Sequence, residues 1–275
     1  MPTFSGGGRE RTGKPHEQRA MAESFGIDAA RYDRTRPRYP EALVARIAAE
    51  APGPDVLDVG TGTGIAARQL RGAGCRVLGV EPDPRMAEAA RRSGIEAEVA
   101  VFEEWDPEDR VFDAVVAGQA WHWIDPVAGA RKAARALRPG GLLAPFWNVF
   151  AFPDGLGEDI ADICQRALPD APFDFRGVVA TGLDTDPPFL TTVADGIREA
   201  GGFGATETWR YDWEWTYSRD AWLDQMPTQG AFTRLPPEKL AGILRDVGTA
   251  IDAGGGDFTM RYATLAVTAR RDGTA

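Results

Sequence analysis

The chain has 275 residues, of which 43% are hydrophobic, so it can bury the core of one large α/β domain or of one domain with a cap. Its formal net charge of −10, with arginines scattered among acids, disfavours a nucleic-acid partner, which usually requires a basic stripe. Cys75 and Cys164 are far apart in sequence and predict neither a disulfide framework nor a metal site. Residues 1–20 lack the apolar core of a signal peptide, and no apolar run is long enough for a membrane span, so we expect a cytoplasmic protein.

The first 50 residues divide into a tail and a helical segment. Residues 1–19 are polar and glycine-rich, which predicts a mobile tail before a single domain over residues 20–275. Aromatic residues and arginines alternate in the next stretch, and apolar residues at helical spacing then predict a helix over Pro40–Ala49.

Short apolar strands alternate with helical stretches from residue 55 to residue 147. The predicted strands are Val56–Val59, Arg76–Val80, Glu96–Val101, Val111–Ala117 and Leu142–Trp147. The predicted helices between them are Ile65–Arg71, Pro84–Ser93 and Pro126–Leu137. Because crossovers of this kind are right-handed, the alternation predicts a doubly wound, mostly parallel sheet.

After residue 150 the sequence no longer alternates regularly between predicted strands and helices, and loops and helices follow. Residues 150–190 and 219–250, together with 20–50, are where we expect a substrate cap. The predicted helices of this half are Gly157–Leu168, Thr191–Ala200, Asp220–Met226 and Pro237–Ile251. The predicted strands are Thr206–Tyr217, whose Trp209, Trp213 and Trp215 we expect in the core, and Phe258–Thr268.

The most informative motif is a glycine cluster directly after the first predicted strand. Gly60, Gly62 and Gly64 allow a sharp turn close to a ligand, and Glu81 ends the next strand about twenty residues on, where an acid holds a ribose. The spacing also satisfies a dinucleotide fingerprint, so an NAD-dependent oxidoreductase stays an alternative. Asp58, two residues before the first glycine, suits an ammonium group better than a pyrophosphate.

The chain resembles the class I S-adenosylmethionine-dependent methyltransferases. The segments that carry the resemblance are Val56–Gly64, Gly79–Asp83, Phe112–Val116 and Leu137–Gly141. The resemblance covers residues 20–150 and implies a seven-stranded sheet with an antiparallel last strand, S-adenosyl-L-methionine as cofactor and a small-molecule acceptor. It indicates neither the acceptor nor the oligomeric state.

The resemblance also implies roles for individual residues. The cofactor-binding residues would be Tyr32, Arg36, Asp58, Gly60, Thr61, Gly62, Glu81, Pro82, Val101, Phe102, Glu103, Ala117 and Gln119. Glu81 would hold both ribose hydroxyls and Asp58 the ammonium group. Many relatives place an acid where Val101 stands, and Glu103 is the substitute that this sequence offers. Tyr32 and Arg36 either fold over the cofactor or lie at the surface.

The sequence offers fewer signals for the residues that carry out methyl transfer and bind the acceptor. His122, beside the fourth predicted strand, is the candidate base, and its alternative role is a hydrogen-bonded wall of the site. The acceptor-binding candidates are Trp121, Trp123, Trp147, Asn148, Met226 and Phe232, walls that suit an apolar or aromatic molecule. No metal site is predicted. A non-catalytic or repurposed cofactor-binding protein is the other alternative, and methylation of a macromolecule would need a basic groove.

Overall fold

Seven strands form one sheet in the computed structural model, which describes residues 23–169, 171, 174–180 and 182–273. The strands are β1 (Asp55–Val59), β2 (Arg76–Glu81), β3 (Glu96–Val99), β4 (Phe112–Gly118), β5 (Leu137–Ala151), β6 (Glu207–Ser218) and β7 (Asp257–Arg270). The helices are α1 (Ala29–Thr35), α2 (Glu41–Glu50), α3 (Ile65–Gly72), α4 (Pro84–Arg92), α5 (Pro126–Ala136), α6 (Leu156–Ala167), α7 (Phe175–Ala180), α8 (Pro188–Ala200), α9 (Arg219–Gln225) and α10 (Pro237–Ala253). Short 3₁₀ turns cover Glu23–Asp28, Trp121–Trp123 and Met226–Thr228.

The strand order is β3-β2-β1-β4-β5-β7-β6, with all neighbours parallel except those of β7. Strand β7 runs antiparallel to both β5 and β6. The prediction of a doubly wound, mostly parallel sheet with an antiparallel last strand is therefore confirmed. The order reverses between β1 and β4, so a crevice opens at the carboxyl ends of these strands, where open α/β sheets bind ligands.

Local sequence signals set the helix boundaries. Asp83 and Asp125 are N-caps whose carboxylates accept hydrogen bonds from backbone N–H groups of the first turn, and a proline follows each cap. The buried face of α5 is made of glycine and alanine, which lets that helix lie close to the sheet. Described residues 23–50 contain α1 in addition to α2, which corresponds to the predicted helix over Pro40–Ala49.

Long strands at one side of the sheet support a helical cap. Strands β5, β6 and β7 have 15, 12 and 14 residues, whereas β1 has 5. Helices α6, α7, α9 and α10 pack around the ends of these longer strands and share a core of aromatic and aliphatic side chains. Met226 and Phe232 belong to this core.

Polar contacts fasten the N-terminal segment to the cap. Asp224 on α9 accepts hydrogen bonds from Arg31 and Arg34, at 2.9 and 2.8 Å, and the hydroxyl groups of Ser24 and Thr233 are 2.7 Å apart. Residues 23–36 and 219–233, which are almost 200 positions apart in sequence, thus lie together over the carboxyl edge of the sheet.

Several expectations need correction or remain open. Trp209 is buried as expected, but Trp215 is 54% exposed, on the strand that forms the edge of the sheet. Strand β5 starts at Leu137, directly after α5 and earlier than predicted. The predicted tail lies outside the described residues, and the single domain over residues 20–275 stays a prediction. Within the described residues, no helix has the length and apolar character needed to cross a bilayer.

Candidate active site

The glycine turn between β1 and α3 is fastened to the neighbouring strand. The N–H groups of Gly60 and Thr61 both donate to the Val80 carbonyl oxygen, at 2.8 and 3.3 Å. Gly60 has a φ of +65°, and a Cβ atom added to it would lie 2.4 Å from the Cβ of Ala120. Only glycine fits this position, so the backbone of the turn stays open to a ligand.

Glu81 ends β2 with its carboxylate against the turn. Its Oε2 accepts a hydrogen bond from the Gly62 N–H at 2.9 Å, and its Oε1 accepts one from the Asp83 N–H at 3.0 Å. Burial raises the pKa of Glu81 to about 7, although the two backbone donors favour the charged form. Each oxygen keeps a further lone pair, so the ionised side chain can accept two hydroxyl groups of a sugar.

Asp58 lies behind the turn and is only 1% exposed. Its Oδ2 accepts a hydrogen bond from the Thr61 hydroxyl at 2.7 Å. Its Oδ1 is buried and lacks a well-formed hydrogen bond, although the Ala67 N–H is close enough to favour the charged form. Burial raises the pKa of Asp58 to about 7, so a positive charge nearby would stabilise its carboxylate.

Replacing Asp58 with asparagine should make folding stability less dependent on pH. The folded carboxyl has a pKa of about 7, against 3.8 for an ordinary aspartate, so between these values the folded state keeps a proton that the unfolded state releases. The free energy of unfolding of the wild type therefore falls as the pH rises through this window. We expect the Tm difference, Asp58→Asn minus wild type, to be larger at pH 8 than at pH 4.5 in thermal unfolding. Asp109→Asn, at an exposed acid, is the control, and an equal Tm difference for Asp58→Asn at both pH values would contradict the expectation.

Arg36 and Tyr32 lie on the opposite side of the crevice, at the end of α1. The Arg36 guanidinium stands 4.7 Å from the centre of the Tyr32 ring, and its Nη2 donates to the Thr228 carbonyl oxygen at 2.6 Å. The Nε of Arg36 is buried with no hydrogen-bond partner. A buried cationic donor without a partner is costly, so this position calls for an anionic ligand group. The sequence left open whether Tyr32 and Arg36 fold over the cofactor or lie at the surface. In the structure both residues lie over the crevice.

Gln119 follows β4 with a left-handed backbone, at a φ of +57°. Its backbone N–H donates to the Phe146 carbonyl oxygen, and its Nε2 donates to the Asn148 carbonyl oxygen at 3.0 Å. These two bonds hold the residue in an unusual conformation and orient its amide. The remaining atom, Oε1, is buried with no hydrogen-bond partner.

His122 is held by Trp147. Its Nδ1 accepts a hydrogen bond from the Trp147 indole N–H at 3.1 Å. Because an indole N–H can only donate, this nitrogen carries no proton, and the neutral ring carries its proton on Nε2. Burial lowers the pKa of His122 to about 3. The geometry thus favours a neutral hydrogen-bond donor in the wall of the site and disfavours the role of a base.

The ring of His122 should stay neutral across the physiological pH range. With a pKa of about 3, its imidazole signals should not titrate between pH 5 and 8 in an NMR experiment. The chain has only two histidines, so the signal is identified by its absence from the spectrum of His122→Asn. An inflection of that signal between pH 6 and 7 would restore the base as a candidate role.

Two cavities meet at this edge of the sheet. The first encloses about 950 Å³, including solvent at its mouth, and the second about 490 Å³. The first is lined by Phe25, Tyr32, Arg36, Val59, Gly60, Gly62, Val80, Glu81, Pro82, Met86, Ala100, Val101, Phe102, Glu103, Gly118, Gln119, Ala120, His122, Trp123 and Ile124. The second is lined by Tyr32, Arg36, Pro37, Tyr39, Ile65, Gln119, Asn148, Phe150, Gln225, Gln229 and Tyr262. Tyr32, Arg36 and Gln119 line both.

The structure brings most of the predicted cofactor-binding residues together at the first cavity. Those that line it are Tyr32, Arg36, Gly60, Gly62, Glu81, Pro82, Val101, Phe102, Glu103 and Gln119. Asp58, Thr61 and Ala117 lie in the layer behind it, buried to 1%, 6% and 0% exposure. Thr61 is turned away from the cavity because its side chain packs on Gly79 and bonds to Asp58.

Two of the six predicted acceptor-binding residues line the cavities, and the assignment of all six to an acceptor stays a prediction. Trp121, Trp147, Met226 and Phe232 are each at most 4% exposed and line neither cavity, because Trp121 and Trp147 pack in the core of the sheet and the other two in the core of the cap. Trp123 lines the first cavity and Asn148 the second. Sequence reasoning missed Gln225, Gln229 and Tyr262 of the second cavity.

Part of the chain is similar to known methyltransferases. Residues 32–144, which contain the glycine turn, Glu81 and Gln119, match the model of a methyltransferase domain. An uncharacterised methyltransferase of Mycobacterium bovis is 41% identical over 153 residues, which are 54% of this chain and 62% of that protein. Over residues 32–144 the chain is therefore similar to methyltransferase domains. Because it spans 62% of the length of this relative, the activity of the whole protein has to be argued from the site.

Further proteins are similar to this chain in sequence or in fold. The ubiquinone biosynthesis O-methyltransferase of Methylocella silvestris is 35% identical over 130 residues, 45% of this chain and 46% of its own. A protein assigned as a type II methyltransferase from Anaeromyxobacter dehalogenans shares the fold, with a TM-score of 0.59, 24% identity and coverage of 86% of this chain and 97% of its own. YcgJ of Bacillus subtilis has a TM-score of 0.52 at 16% identity, over 85% of this chain and 98% of its own.

Proposed function

We propose that this protein binds S-adenosyl-L-methionine and transfers its methyl group to a small-molecule acceptor. The observation that carries the proposal is the first cavity, in which the Gly60–Gly64 turn faces Arg36 and Tyr32 and is flanked by Glu81. These groups match the parts of the cofactor. The alternative of an NAD-dependent oxidoreductase loses support, because its usual sheet lacks the antiparallel β7.

The polar groups of the cavity fit the two ends of the cofactor. Glu81 would accept hydrogen bonds from both ribose hydroxyls while its backbone donors hold it in place. The unpartnered Nε of Arg36 would donate to the carboxylate of the methionine part, and the buried charge of Asp58 would favour the ammonium group from behind the turn. A zwitterion thus meets charges of the right sign at both of its groups.

The apolar part of the cavity fits the adenine. Pro82, Met86, Val101 and Phe102 form a continuous apolar wall beyond Glu81. Glu103 stands at this wall, and its Oε1 accepts a hydrogen bond from the Asp125 N–H at 3.2 Å, which holds the carboxylate in position. Because valine occupies position 101, we propose that Glu103 accepts the hydrogen bond from the adenine amine.

Alignment is what the protein has to supply. The bound cofactor carries a methyl group on a sulfonium, which is electrophilic without further activation. Effective alignment of reactants contributes on the order of 7–11 kcal/mol in well-oriented systems. The packing of residues 23–36 on residues 219–233 places these segments over the crevice, which supports a small acceptor rather than a macromolecule. The free, buried Cys75 and Cys164 support a reducing, cytoplasmic setting, which we also propose.

Calorimetry with S-adenosylhomocysteine and with NADH tests the proposed cofactor. We expect binding of the first at micromolar concentration and no heat with the second. Heat with NADH alone would contradict the proposal. Transfer of a labelled methyl group to small molecules of a cell extract then tests catalysis, and binding without any transfer would favour a repurposed, non-catalytic protein.

A further inference from the structure

The lining of the second cavity indicates the class of acceptor, an inference that rests on the proposed methyl transfer. The cavity shares Tyr32, Arg36 and Gln119 with the wall of the first one, so a molecule inside it would lie close to the methionine end of the cofactor. Arg36 is the one charged side chain among the described residues of its wall. The apolar surface comes from rings, those of Tyr39, Phe150 and Tyr262 among them.

Two amide oxygens in this wall lack hydrogen-bond donors. Gln225 is 4% exposed, its side chain bonds to the Tyr217 hydroxyl, and its Oε1 is buried with no partner. Gln119, whose Nε2 donates to the Asn148 carbonyl, has the second unpartnered oxygen. Buried acceptors are normally satisfied, so these two oxygens call for a ligand that brings N–H or O–H groups.

The described residues of the second cavity offer no base for a hydroxyl acceptor. The wall contains no carboxylate and no imidazole, and burial raises the pKa of Tyr39 and Tyr262 well above the ordinary tyrosine value. His122, in the first cavity, is neutral with its Nδ1 already occupied. An anionic oxygen would need no base, but it would be repelled by the two amide oxygens, and in the proposed complex Arg36 is already paired with the methionine carboxylate. An uncharged amine satisfies both conditions, because it brings N–H donors and its own lone pair.

We propose that the acceptor is a primary or secondary amine, held at the junction of the two cavities by the Oε1 atoms of Gln119 and Gln225. Because the wall of the second cavity contains no carboxylate and Arg36 is paired with the cofactor, nothing in this wall stabilises an ammonium ion over the uncharged, nucleophilic amine. The amine lone pair forms the new N–C bond, and the S–C bond breaks with its electron pair left on sulfur. The surplus proton on nitrogen then leaves to water.

The first test identifies the bond that is formed. The protein is incubated with labelled S-adenosylmethionine and a set of phenylethyl molecules that differ only in the head group: amine, N-methylamine, alcohol and carboxylate. A small-molecule cell extract is run in parallel, and the labelled products are assigned by tandem mass spectrometry and by stability to base. Label in an N-methyl group supports the proposal. Label in an ether or ester, or no labelled amine from either source although S-adenosylhomocysteine binds, would overturn it. Failure to bind S-adenosylhomocysteine would instead remove the proposed function.

The second test concerns Gln225 itself. Gln225→Leu should raise the KM for the amine at least about tenfold, which corresponds to about 1.4 kcal/mol, and leave the Kd of S-adenosylhomocysteine unchanged. Calorimetric binding of the amine to protein saturated with S-adenosylhomocysteine should weaken in parallel. Gln165→Leu is the matched control, because Gln165 also has a buried, unpartnered Oε1 but lines neither cavity.

A further variant keeps the test decisive if the leucine disturbs folding. Gln225→Asn keeps an uncharged amide oxygen in a side chain one methylene group shorter, so its KM for the amine should rise less than that of Gln225→Leu. Equal changes in Gln225→Leu and Gln165→Leu, or a rise in Gln225→Asn as large as that in Gln225→Leu, would overturn the role of Gln225.

Discussion

Replacing Glu81 with alanine should weaken the binding of S-adenosylhomocysteine about 100-fold, or ~3 kcal/mol. The carboxylate is held by the N–H groups of Gly62 and Asp83 and faces the first cavity. Hydrogen bonds to a charged group contribute about 1.5–3 kcal/mol each, and the ribose would make two of them. Alanine would also leave both backbone donors without a partner. Isothermal titration calorimetry of the two proteins measures the difference.

Glu104→Ala is the matched control, because Glu104 is an exposed acid on the same segment as Glu103. Its removal should leave the Kd within about twofold, since surface charges contribute little. Equal losses in both variants would mean that the general negative charge, and not the position of Glu81, attracts the ligand. Unchanged affinity in Glu81→Ala would remove the assignment of the first cavity to this cofactor.

The pH dependence of binding is a second signature of Glu81. Its pKa of about 7 in the empty site means that half of the molecules carry a protonated, uncharged side chain at neutral pH. The ribose hydroxyls need the carboxylate as acceptor, so affinity should rise with pH through this value and be about tenfold weaker at pH 6 than at pH 8. In Glu81→Ala, the affinity for S-adenosylhomocysteine should change less between pH 6 and pH 8 than in the wild type. A wild-type Kd that is constant between pH 6 and 8 would contradict this assignment.

The sheet and the cofactor side of the site could be predicted because their signals are local. Strand periodicity, the spacing of glycines and the caps at Asp83 and Asp125 each depend on residues a few positions apart. Glu81 could be placed for the same reason, since the end of β2 must lie beside the end of β1 in a parallel sheet. No long-range contact had to be inferred for these elements.

The acceptor wall could not be predicted, because it depends on the direction of side chains and on distant packing. Trp147 and Asn148 are neighbours on β5, and successive strand residues face opposite sides of a sheet. Asn148 therefore lines the second cavity, whereas Trp147 packs on Phe189 of α8 with ring centres 4.9 Å apart. The face of the sheet on which a residue lies thus decides whether it lines the cavity, and its position at the end of a strand alone does not.

The cap raises the same difficulty in another form. Met226 and Phe232 follow the cavity residue Gln225 closely in the sequence. Their side chains nevertheless pack in the core of the cap, where the ring centres of Phe232 and Phe175 are 6.3 Å apart. Gln225, one position before Met226, is the residue that lines the cavity. No pattern in the sequence distinguishes this glutamine, because its role arises only when α9 packs against α1, almost 200 residues earlier.

Gly60→Ala should abolish cofactor binding, with a loss of about 100-fold or more in affinity. Two separate costs are involved. The φ of +65° strains any residue with a side chain by about 1–2 kcal/mol. The added Cβ would also lie 2.4 Å from the Cβ of Ala120, well inside contact distance. Because the turn is bonded to Val80, it cannot retreat without breaking those hydrogen bonds and moving Gly62 away from Glu81.

Two further variants separate strain from collision. Gly74 has a φ of +95° and nothing within 4 Å of an added Cβ, so Gly74→Ala should lower the free energy of unfolding by only about 1–2 kcal/mol and leave the Kd unchanged. Gly60→Ala combined with Ala120→Gly removes the colliding methyl group, since the next atom, the Cα of Ala120, is 3.8 Å away. The double variant should regain most of the lost affinity and keep only the strain. If the double variant binds no better than Gly60→Ala, the loss of affinity comes from backbone strain alone. The close packing of the glycine turn against Ala120 is then not what shapes the cavity.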